Sequence, residues 1–598
     1  MFSAGVTTNT YHNVLPNFLD STSTDIAAFV GVFEKGPIDK PIFINSAIQF
    51  KEIFGRATKW NYNDWYQVYN YLQYSNKIWV TRSAGKFTFN ASTSGSLNFL
   101  INNKDDFYNN IANIKIPDNE YFEFIAKTPG SWGNILSVGF ISKLEYDLNV
   151  EVYKGHLAQD LFTFFEDSYF GIIVFRKNIP IEIYYKSWDE IDEIDEINSE
   201  SRYIYLKKRT ESLRNAMYDE NYNSFNGNTY FIEGEKRFID GNYDFSADGL
   251  IYLVDGNYHY IDGNEYQELI RPHFGETIIK LYGGEDSYPD KREFAASHEI
   301  YYHLEDYNFD LFIGNDIANE LAVELAEHRR DCIAYIAIPA VYLTFYEFLH
   351  FGNKNILHSE DQRTIAVTKE LWGIKNTSEL IKKIDEYINT MQESQYVHFT
   401  LNSKVQFDKF SNKMIRVNLA GDIAGLKSRQ SYVQQWHPGA GMEKGLIKNM
   451  EKTYLFFNTK QKKDYHKRGL NFVENERLMT QRTFTTVPSS FNRVNMRYLF
   501  NKIEKITRYI LRYYIFEENT LKLRSRIAFE IKRFLIDVKT SRGITWGRVE
   551  VHPDKKDPHA IVIDVYIRPV GIAEYIQLRM KNIGTNTISD VLSNTITA

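Results

Sequence analysis

The chain has 598 residues, which is too long for one ordinary hydrophobic core and predicts several domains. Its 43% hydrophobic and 25% charged residues are typical of globular proteins, and its net charge of -7 argues weakly against nucleic acid as a direct partner, because a phosphate backbone favours a basic surface. Cys332 is the only cysteine, which excludes a disulfide framework or a cysteine metal cluster within one chain and favours synthesis in a reducing cytoplasm.

The N-terminal stretch lacks the pattern of a secretory signal, because no Lys or Arg precedes Lys35 and no long apolar core is present. Residues 1–20 are polar and have no helical period, which fits a frayed terminus or an arm that orders only on a neighbour. The most apolar run, 332–349, contains Pro339 and Glu347, so we predict a buried strand and a following element there, not a membrane insertion.

An α/β pattern begins after residue 25. We predict strands at 26–33, 41–44 and 77–82, a helix capped by Ser46 and ended by Gly55, and a second helix at 65–74. These strands are too few to close a sheet alone. The pattern resumes at 278 with strands at 311–313 and 332–338 and helices at 317–327 and 379–391, so one α/β domain is interrupted.

The interruption, from about 84 to 271, is rich in Ser, Thr, Asn and Gly and predicts an inserted, mostly β domain. Acidic pairs alternate with isoleucines at 188–197, which favours a solvated amphipathic helix over a cation site. From Asn226-Gly227 to Asp262-Gly263, Asn-Gly, Glu-Gly and Asp-Gly pairs recur every seven or eight residues, which predicts hairpins. Calcium at these turns and sugar on the aromatic strands are weaker alternatives.

The closing stretch, 495–580, predicts two helices followed by two strands at 561–567 and 573–580, with Pro569 ending the first strand. The first helix is expected to bury Leu499, Ile503, Ile506, Ile510 and Tyr513. A second, basic stripe on that helix consists of Lys502, Lys505, Arg508 and Arg512. The second helix is expected to start at an Asn519 cap and to bury Leu523, Ile527, Ile531, Phe534 and Leu535.

No catalytic pattern was found: the chain has no G-x-S-x-G, no H-E-x-x-H and no P-loop. Gly283-Gly284-Glu285-Asp286 fits a tight turn better than a metal or phosphate site. His437 has no second His or Cys at ligand spacing nearby. We therefore expect no catalytic, cofactor-binding or metal-binding residues, and no enzyme.

Several short blocks occur in a distinctive order: 28–31, 35–37, 54–55, 129–134, 281–286, 420–425, 436–441, 482–483, 495–497, 516–519 and the strand before Pro569. Together they resemble the contractile tail sheath proteins of bacteriophages and related injection machines. The residues that carry the resemblance, called the motif residues below, are Gly36, Pro37, Gly130, Trp132, Gly133, Asn134, Gly283, Gly284, Gly421, Trp436, Pro438 and Pro569. Residues 161–271 match nothing in the family, and His437 stands where a small residue is usual.

The resemblance implies an α/β (α+β) multidomain fold with a discontinuous α/β core. The expected parts are an N-terminal arm at 1–20, a middle domain at 21–84 and 272–400, an outward-facing β domain at 85–271 with an additional insertion at 161–271, a C-terminal α+β domain at 401–580 and a C-terminal arm at 581–598.

The resemblance also implies a function: a structural subunit that polymerises around an inner tail tube and contracts to drive the tube through the host envelope for genome delivery. Expected partners are copies of the chain in rings or a helix, the tube protein, and baseplate and tail terminator proteins, in a virion tail assembled in the host cytoplasm. The basic stripe would face the tube, and the alternative is a solvated helix face. The expected strand donors to neighbouring subunits are Gly5, Val6, Thr7, Ile576, Leu578 and Met580.

Three alternatives stay open. The chain could be the sheath of a tailocin or of another contractile injection system, although its length and insertion favour a phage. It could be a tail protein whose hairpin repeats bind host glycans. A hydrolase with paired carboxylates in the insertion is the weakest of the three.

Overall fold

The computed structural model describes residues 25–58, 60–95, 97, 99–116, 122–142, 169–177, 179–187, 195–208, 238–239, 243–244, 250–254, 257–261, 278–303, 306–351, 371, 373–453, 457–557 and 559–571. These residues form two compact units, 25–502 and 503–571. The expected N-terminal arm and the strand at 573–580 lie outside the described residues, as do all six expected strand donors.

The strands within the described residues are β1 Ala27–Gly31, β2 Ile42–Ile44, β3 Ile78–Arg82, β4 Phe122–Ala126, β5 Leu136–Ser142, β6 Tyr169–Arg176, β7 Ile179–Ser187, β8 Ile204–Lys208, β9 Phe238–Ile239, β10 Tyr243–Asp244, β11 Leu250–Val254, β12 Asn257–Ile261, β13 Ile279–Lys280, β14 Leu311–Ile313, β15 Ile333–Ala337, β16 Val397–Thr400, β17 Ser403–Asp408, β18 Lys413–Asn418, β19 Lys452–Thr453, β20 Leu470–Asn471, β21 Val473–Glu474, β22 Arg477–Leu478, β23 Ile544–Pro553 and β24 Ile561–Pro569.

The α-helices in the same parts of the chain are α1 Ala47–Phe54, α2 Tyr62–Tyr71, α3 Lys104–Asn110, α4 Asp195–Glu200, α5 Lys291–Glu299, α6 Asn319–Arg329, α7 Ala340–Phe351, α8 Thr377–Thr390, α9 Ala420–Gln434, α10 Thr459–Lys467, α11 Val494–Arg512 and α12 Leu521–Thr540.

A seven-stranded sheet in the order β2-β3-β1-β14-β15-β16-β20 forms the centre of the first unit. All neighbours are parallel except β2, which runs antiparallel to β3. Every residue of β1 and β15 is buried, as expected for parallel strands covered by helices on both faces. Because β1 pairs with β3 on one side and β14 on the other, strands from before and after the long interruption share one sheet, which confirms the discontinuous core.

The interrupting segment has its own β structure and its own apolar core. β5, β6 and β7 form a four-stranded sheet with β13, which lies past the predicted boundary at residue 271, and β4 pairs with β8. A separate cluster of buried residues, including Trp132, Val138, Ile172 and Ile204, lies within it. Two of the predicted hairpins are present, β9 with β10 and β11 with β12, on either side of Asp240-Gly241 and Asp255-Gly256.

Several local predictions are confirmed. Ser46 caps α1 by accepting a hydrogen bond from the Gln49 backbone N–H, and Gly55 follows the helix with a φ of 82°. The strands predicted at 26–33, 41–44, 77–82, 311–313 and 332–338 are present as β1, β2, β3, β14 and β15. The segment beginning at Ala420 is a helix, α9.

Other predictions need correction. The seventh strand of the central sheet is Leu470–Asn471, so that sheet extends past the predicted boundary at residue 400. Tyr513 is 65% exposed because it follows the end of α11 at Arg512 and leaves the buried stripe. The helix predicted at 188–197 is not contradicted: residues 188–194 lie outside the described residues, and 195–197 begin α4.

In the second unit, α12 and the two-stranded sheet of β23 and β24 are the main elements. The predicted inward residues of α12 are all buried. Its cap is Thr520, not Asn519: Thr520 is extended and its hydroxyl accepts the Leu523 backbone N–H. Asn519 instead accepts a hydrogen bond from Arg524 and donates one to the carbonyl of Ala560. The partner of β24 is β23, which precedes it in the chain and was not predicted.

Candidate assembly site

The β23–β24 sheet presents one apolar and one polar face. The register pairs Gly547 with Ile567, Val549 with Val565, and Val551 with Ile563, which places these six residues on one face. That face packs on α12, where a Cβ on Gly547 would lie 3.2 Å from Leu535 Cδ1. The absence of a side chain at Gly547 therefore lets the strand lie close to the helix.

The opposite face of the same sheet carries Trp546 and Tyr566, which are 46% and 48% exposed, together with exposed Arg548 and Arg568. Among the described residues, β23 pairs only with β24 and β24 only with β23. Each strand thus has an outer edge along nine or ten residues with no partner strand in the described chain. Unpaired edges of this length are templates for another strand.

The basic stripe of α11 is not uniform. Arg508 and Arg512 are exposed and Lys505 is half-buried. Lys502 departs from the prediction, because its side chain is 14% exposed and its ammonium lies 2.7 Å from Asp310 Oδ2. Burial alone would lower the pKa of Lys502, but the carboxylates of Asp310 and Asp25 outweigh it and raise that pKa. Lys502 is therefore part of an internal ion pair and is removed from the expected tube-contact face.

Most of the motif residues meet where the interrupting segment joins the central sheet, a region called the joint below. Arg82, at the end of β3, is fully buried there. Its Nη1 donates to the carbonyl oxygens of Gly36, at 2.9 Å, and Pro129, at 2.6 Å, and its Nη2 donates to Asp286 Oδ1 at 3.3 Å. Burial lowers the pKa of Arg82 to about 10, whereas the carboxylates of Asp286 and Glu34 oppose that shift. One guanidinium thus ties together three segments that are far apart in sequence.

Glycine is required at three positions of the joint. Gly130 has a φ of 127°, and a Cβ there would lie 2.7 Å from Asp286 Oδ1. Gly284 touches the same loop, since its Cβ would lie 2.6 Å from the Gly130 carbonyl oxygen. Gly283 precedes it, with backbone atoms of Gly95 close by. Side chains at these positions would push the segments apart.

The remaining motif residues of the joint fix its geometry. Asn134 donates to the Gly284 carbonyl at 2.8 Å and accepts from the Gly284 backbone N–H at 2.9 Å. Trp132 is buried, and its indole N–H donates to the Thr128 carbonyl at 3.0 Å. Gly133 packs against Ala91 and Ala126, and Pro37 is buried beside Gly36. The motif residues here serve packing and hydrogen bonding within the fold.

The last four motif residues lie elsewhere. Gly421, in α9, donates its backbone N–H to Gln67 Oε1 at 2.7 Å, and a Cβ on it would collide with the Gln67 backbone of α2. Trp436 is buried in the loop after α9, and Pro438 is half-buried in the same loop. Pro569 is the final residue of β24.

Acidic, histidine and cysteine side chains do not gather into a metal site in the described part of the chain. No group of three or more His, Cys, Asp or Glu side chains among the described residues could hold a metal ion. Cys332 is buried. Among the same residues, no helix combines the length and apolarity that a membrane crossing needs.

Sequence reasoning missed two features, the strand β23 in the second unit and the role of Arg82 in the first. β23 has the alternation of a strand, with Val549 and Val551 on one side and Arg548 and Glu550 on the other, so its signal was available. The role of Arg82 left no local signal, because its partners come from three distant segments.

The chain was compared with protein families, with individual proteins and with solved structures. No family model matches the chain. The chain is 31% identical to the tail sheath protein of Enterobacteria phage T4 over 211 residues, which cover 33% of this chain and 32% of that protein. It is 25% identical to the tail sheath protein of Vibrio phage KVP40 over 276 residues, which cover 44% of this chain and 38% of that protein. The matched regions thus span about a third of the length of each relative.

Among solved structures, a sheath tail protein from Listeria innocua superposes with a TM-score of 0.50 at 10% identity, covering 93% of this chain and 95% of that one. This likeness concerns the fold and confirms the mixed α and β, multidomain class. The two sequence similarities confirm the resemblance to tail sheath proteins that the ordered motifs indicated.

Proposed function

Because the chain is a relative of phage tail sheath proteins, we propose that it is the structural subunit of a contractile tail sheath. In this role it polymerises around an inner tail tube and shortens to drive the tube through the envelope of a host cell. The observation that carries the proposal, beyond sequence similarity, is the β23–β24 sheet with its two unpaired edges in the described chain.

The unpaired edges supply the acceptors that a strand-linked lattice needs. An extended segment from one neighbour would pair with β23, and a segment from another neighbour would pair with β24, the β-augmentation mode of recognition. The proposed donors are residues 1–20, around Gly5, Val6 and Thr7, and the segment beyond Gly571, around Ile576, Leu578 and Met580. Each backbone hydrogen bond contributes on the order of 1 kcal/mol net, so a handful per junction adds up to a continuous mesh.

Contraction in this account uses no nucleotide. The extended lattice is a metastable state, and the contracted one buries more surface between subunits, so release at the baseplate lets the lattice relax to the deeper minimum. The donated strands stay paired while the segments that connect them to their own subunit bend. Subunits therefore rotate past one another without separating.

The proposed partners are further copies of the chain, the inner tube protein, and the baseplate and tail terminator proteins, all in a virion tail assembled in the host cytoplasm. The proposed tube-contact face is now Lys505, Arg508 and Arg512, because Lys502 is engaged internally. Charge complementarity would hold this face against an acidic tube surface.

The sheath of a tailocin or of another contractile injection system is the second candidate, since the same subunit chemistry would serve both. Cryo-electron microscopy of the native particle separates the two candidates: a capsid on the contractile tail identifies a phage, and its absence identifies the alternative.

Electron microscopy of the purified full-length chain tests the proposal itself. We expect hollow tubes with a helical or stacked-ring repeat, and shorter, wider tubes after destabilising treatment. A chain that stays monomeric at all concentrations, or that binds a glycan array through residues 85–271 without forming tubes, would contradict the sheath role.

A further inference from the structure

One buried ionic cluster contains residues from both ends of the first unit, where the chain enters the unit and where it leaves it. Asp25 is the first described residue and lies two positions before β1. Lys502, on α11, is the last residue of this unit. The Lys502 ammonium lies 3.5 Å from Asp25 Oδ1 and 2.7 Å from Asp310 Oδ2, so the two ends of the unit are tied to each other directly.

Asp25 is held through both its side chain and its backbone. Ser431 donates to Asp25 Oδ2 at 2.6 Å, and the Tyr498 hydroxyl donates to Oδ1. The Asp25 carbonyl oxygen accepts hydrogen bonds from Tyr71, at 3.1 Å, and Ser428, at 3.2 Å. These partners come from α2, α9 and α11, so Asp25 is fixed to three helices before the chain enters the sheet.

A second lysine completes the cluster. Lys427 Nζ lies 3.8 Å from Asp25 Oδ2 and 3.5 Å from the centre of the Tyr498 ring, and it donates to the Gln435 carbonyl at 3.0 Å. Burial lowers the pKa of Lys427 to about 8, an effect that the Asp25 carboxylate opposes. Two carboxylates thus face two ammonium groups, with side chains that are almost fully removed from solvent.

We propose that Asp25, Asp310, Lys427, Tyr498 and Lys502 form a mechanical clasp. The clasp passes tension between the segment before Asp25 and the segment after Lys502 without loading the seven-stranded sheet. This inference rests on the proposed function, in which residues 1–20 and the part of the chain beyond 502 hold neighbouring subunits and are pulled during contraction.

The position of β1 explains why such a device is needed. β1 has five residues and lies between β3 and β14 in the middle of the sheet. Tension on the preceding segment would otherwise reach Ala27 first and peel β1 from its neighbours one hydrogen bond at a time. Buried, charge-assisted hydrogen bonds are strong, directional and little screened by salt, so they resist that pull before it reaches the sheet.

Single-molecule pulling on the full-length chain tests the clasp. Handles attach to cysteines introduced by Ser21→Cys and Arg508→Cys, since the single native cysteine, Cys332, is buried. A second geometry, with Ser378→Cys and Lys463→Cys on α8 and α10, loads the unit without spanning the clasp. Asp25→Asn keeps the shape of the side chain and removes its charge.

We expect Asp25→Asn to lower the first rupture force between 21 and 508 by about a third or more, because it leaves one carboxylate, Asp310, to balance two buried ammonium groups. The force between 378 and 463 should not change. The matched control Lys383→Met removes an exposed ion pair with Glu386 and should change neither force. If Asp25→Asn fails to fold, Lys502→Met is measured in the same two geometries.

An unchanged force between 21 and 508, or an equal fall in both geometries, would overturn the clasp, because a merely structural cluster weakens the unit in every direction. The measurement uses single molecules and does not depend on tube formation. Failure of the clasp is thereby distinct from failure of the sheath proposal, which the microscopy of tubes tests.

Discussion

Gly130 shows how one residue holds the joint together. Its φ of 127° is a conformation that side chains rarely adopt, and the space where a Cβ would lie is occupied by Asp286 and Arg82. We expect Gly130→Ala to lower the free energy of unfolding by about 2–4 kcal/mol, from backbone strain and displaced partners of Arg82.

Urea unfolding of the purified monomer measures that loss. Gly373→Ala is the matched control, since a Cβ there meets nothing within 4 Å, and its effect should stay within about 0.5 kcal/mol. Equal stability of the two variants would show that the joint tolerates a side chain and that our reading of it is wrong.

His298 should make stability depend on pH. It is buried between Phe294 and Phe312, where burial lowers its pKa to about 4 against a smaller opposing effect of its hydrogen bond to the Phe294 carbonyl. The unfolded chain takes up this proton near pH 6.5 and the folded chain does not, so stability falls as the pH drops from about 6.5 towards 4.

The variant His298→Phe removes the titrating imidazole and keeps an aromatic ring between Phe294 and Phe312. Between pH 7.5 and pH 5 the wild-type chain should lose about 2 kcal/mol more stability than the variant, as measured by urea unfolding at both pH values. Identical losses would mean that His298 is protonated in the folded chain. The buried His398, whose pKa is also lowered, contributes the same slope to both proteins and cancels.

Residue roles were the hardest features to predict. The motif glycines could be marked in the sequence because their order was distinctive, but their shared location at the joint depends on Arg82, whose partners are about 50 to 200 positions away. Lys502 was predicted to be exposed from its spacing with Lys505 and Arg508. Helical spacing reports which residues share a face and not which distant carboxylates approach that face, as Asp25 and Asp310 do.

At the scale of elements, the hydrophobic pattern was a reliable guide inside helices and strands. The buried residues of α12 follow the helical period, and β1 and β15 are continuous apolar runs, which is the pattern of strands buried on both faces. It was less reliable at ends, because caps depend on single hydrogen bonds: Thr520 and Asn519 are both good capping residues, and only the geometry shows which one accepts the Leu523 N–H.

The basic stripe gives a prediction for α11. If Lys505, Arg508 and Arg512 hold the inner tube by charge, Arg508→Glu should lower the affinity of the chain for isolated tubes about tenfold or more. Rising salt should reduce the difference in affinity between the variant and the wild-type chain. Co-sedimentation with tubes at several salt concentrations measures this. Lys522→Glu, on the exposed start of α12, is the matched control. Normal assembly of Arg508→Glu on tubes would contradict the tube contact and would mean that the stripe is a solvated helix face.

At the scale of the whole molecule, we propose that the outer edges of β23 and β24 and the expected arms act together in assembly. The β23–β24 sheet has two strands and packs on one helix, whereas isolated two-stranded sheets are marginally stable in water. Strands donated by neighbours would complete it.

Removal of both proposed arms tests the account most directly. A chain lacking residues 1–20 and 572–598, which together contain every proposed strand donor, should still unfold cooperatively as a monomer, and electron microscopy should find no tubes. Tubes that form and shorten as readily as those of the intact chain would contradict strand donation as the basis of assembly.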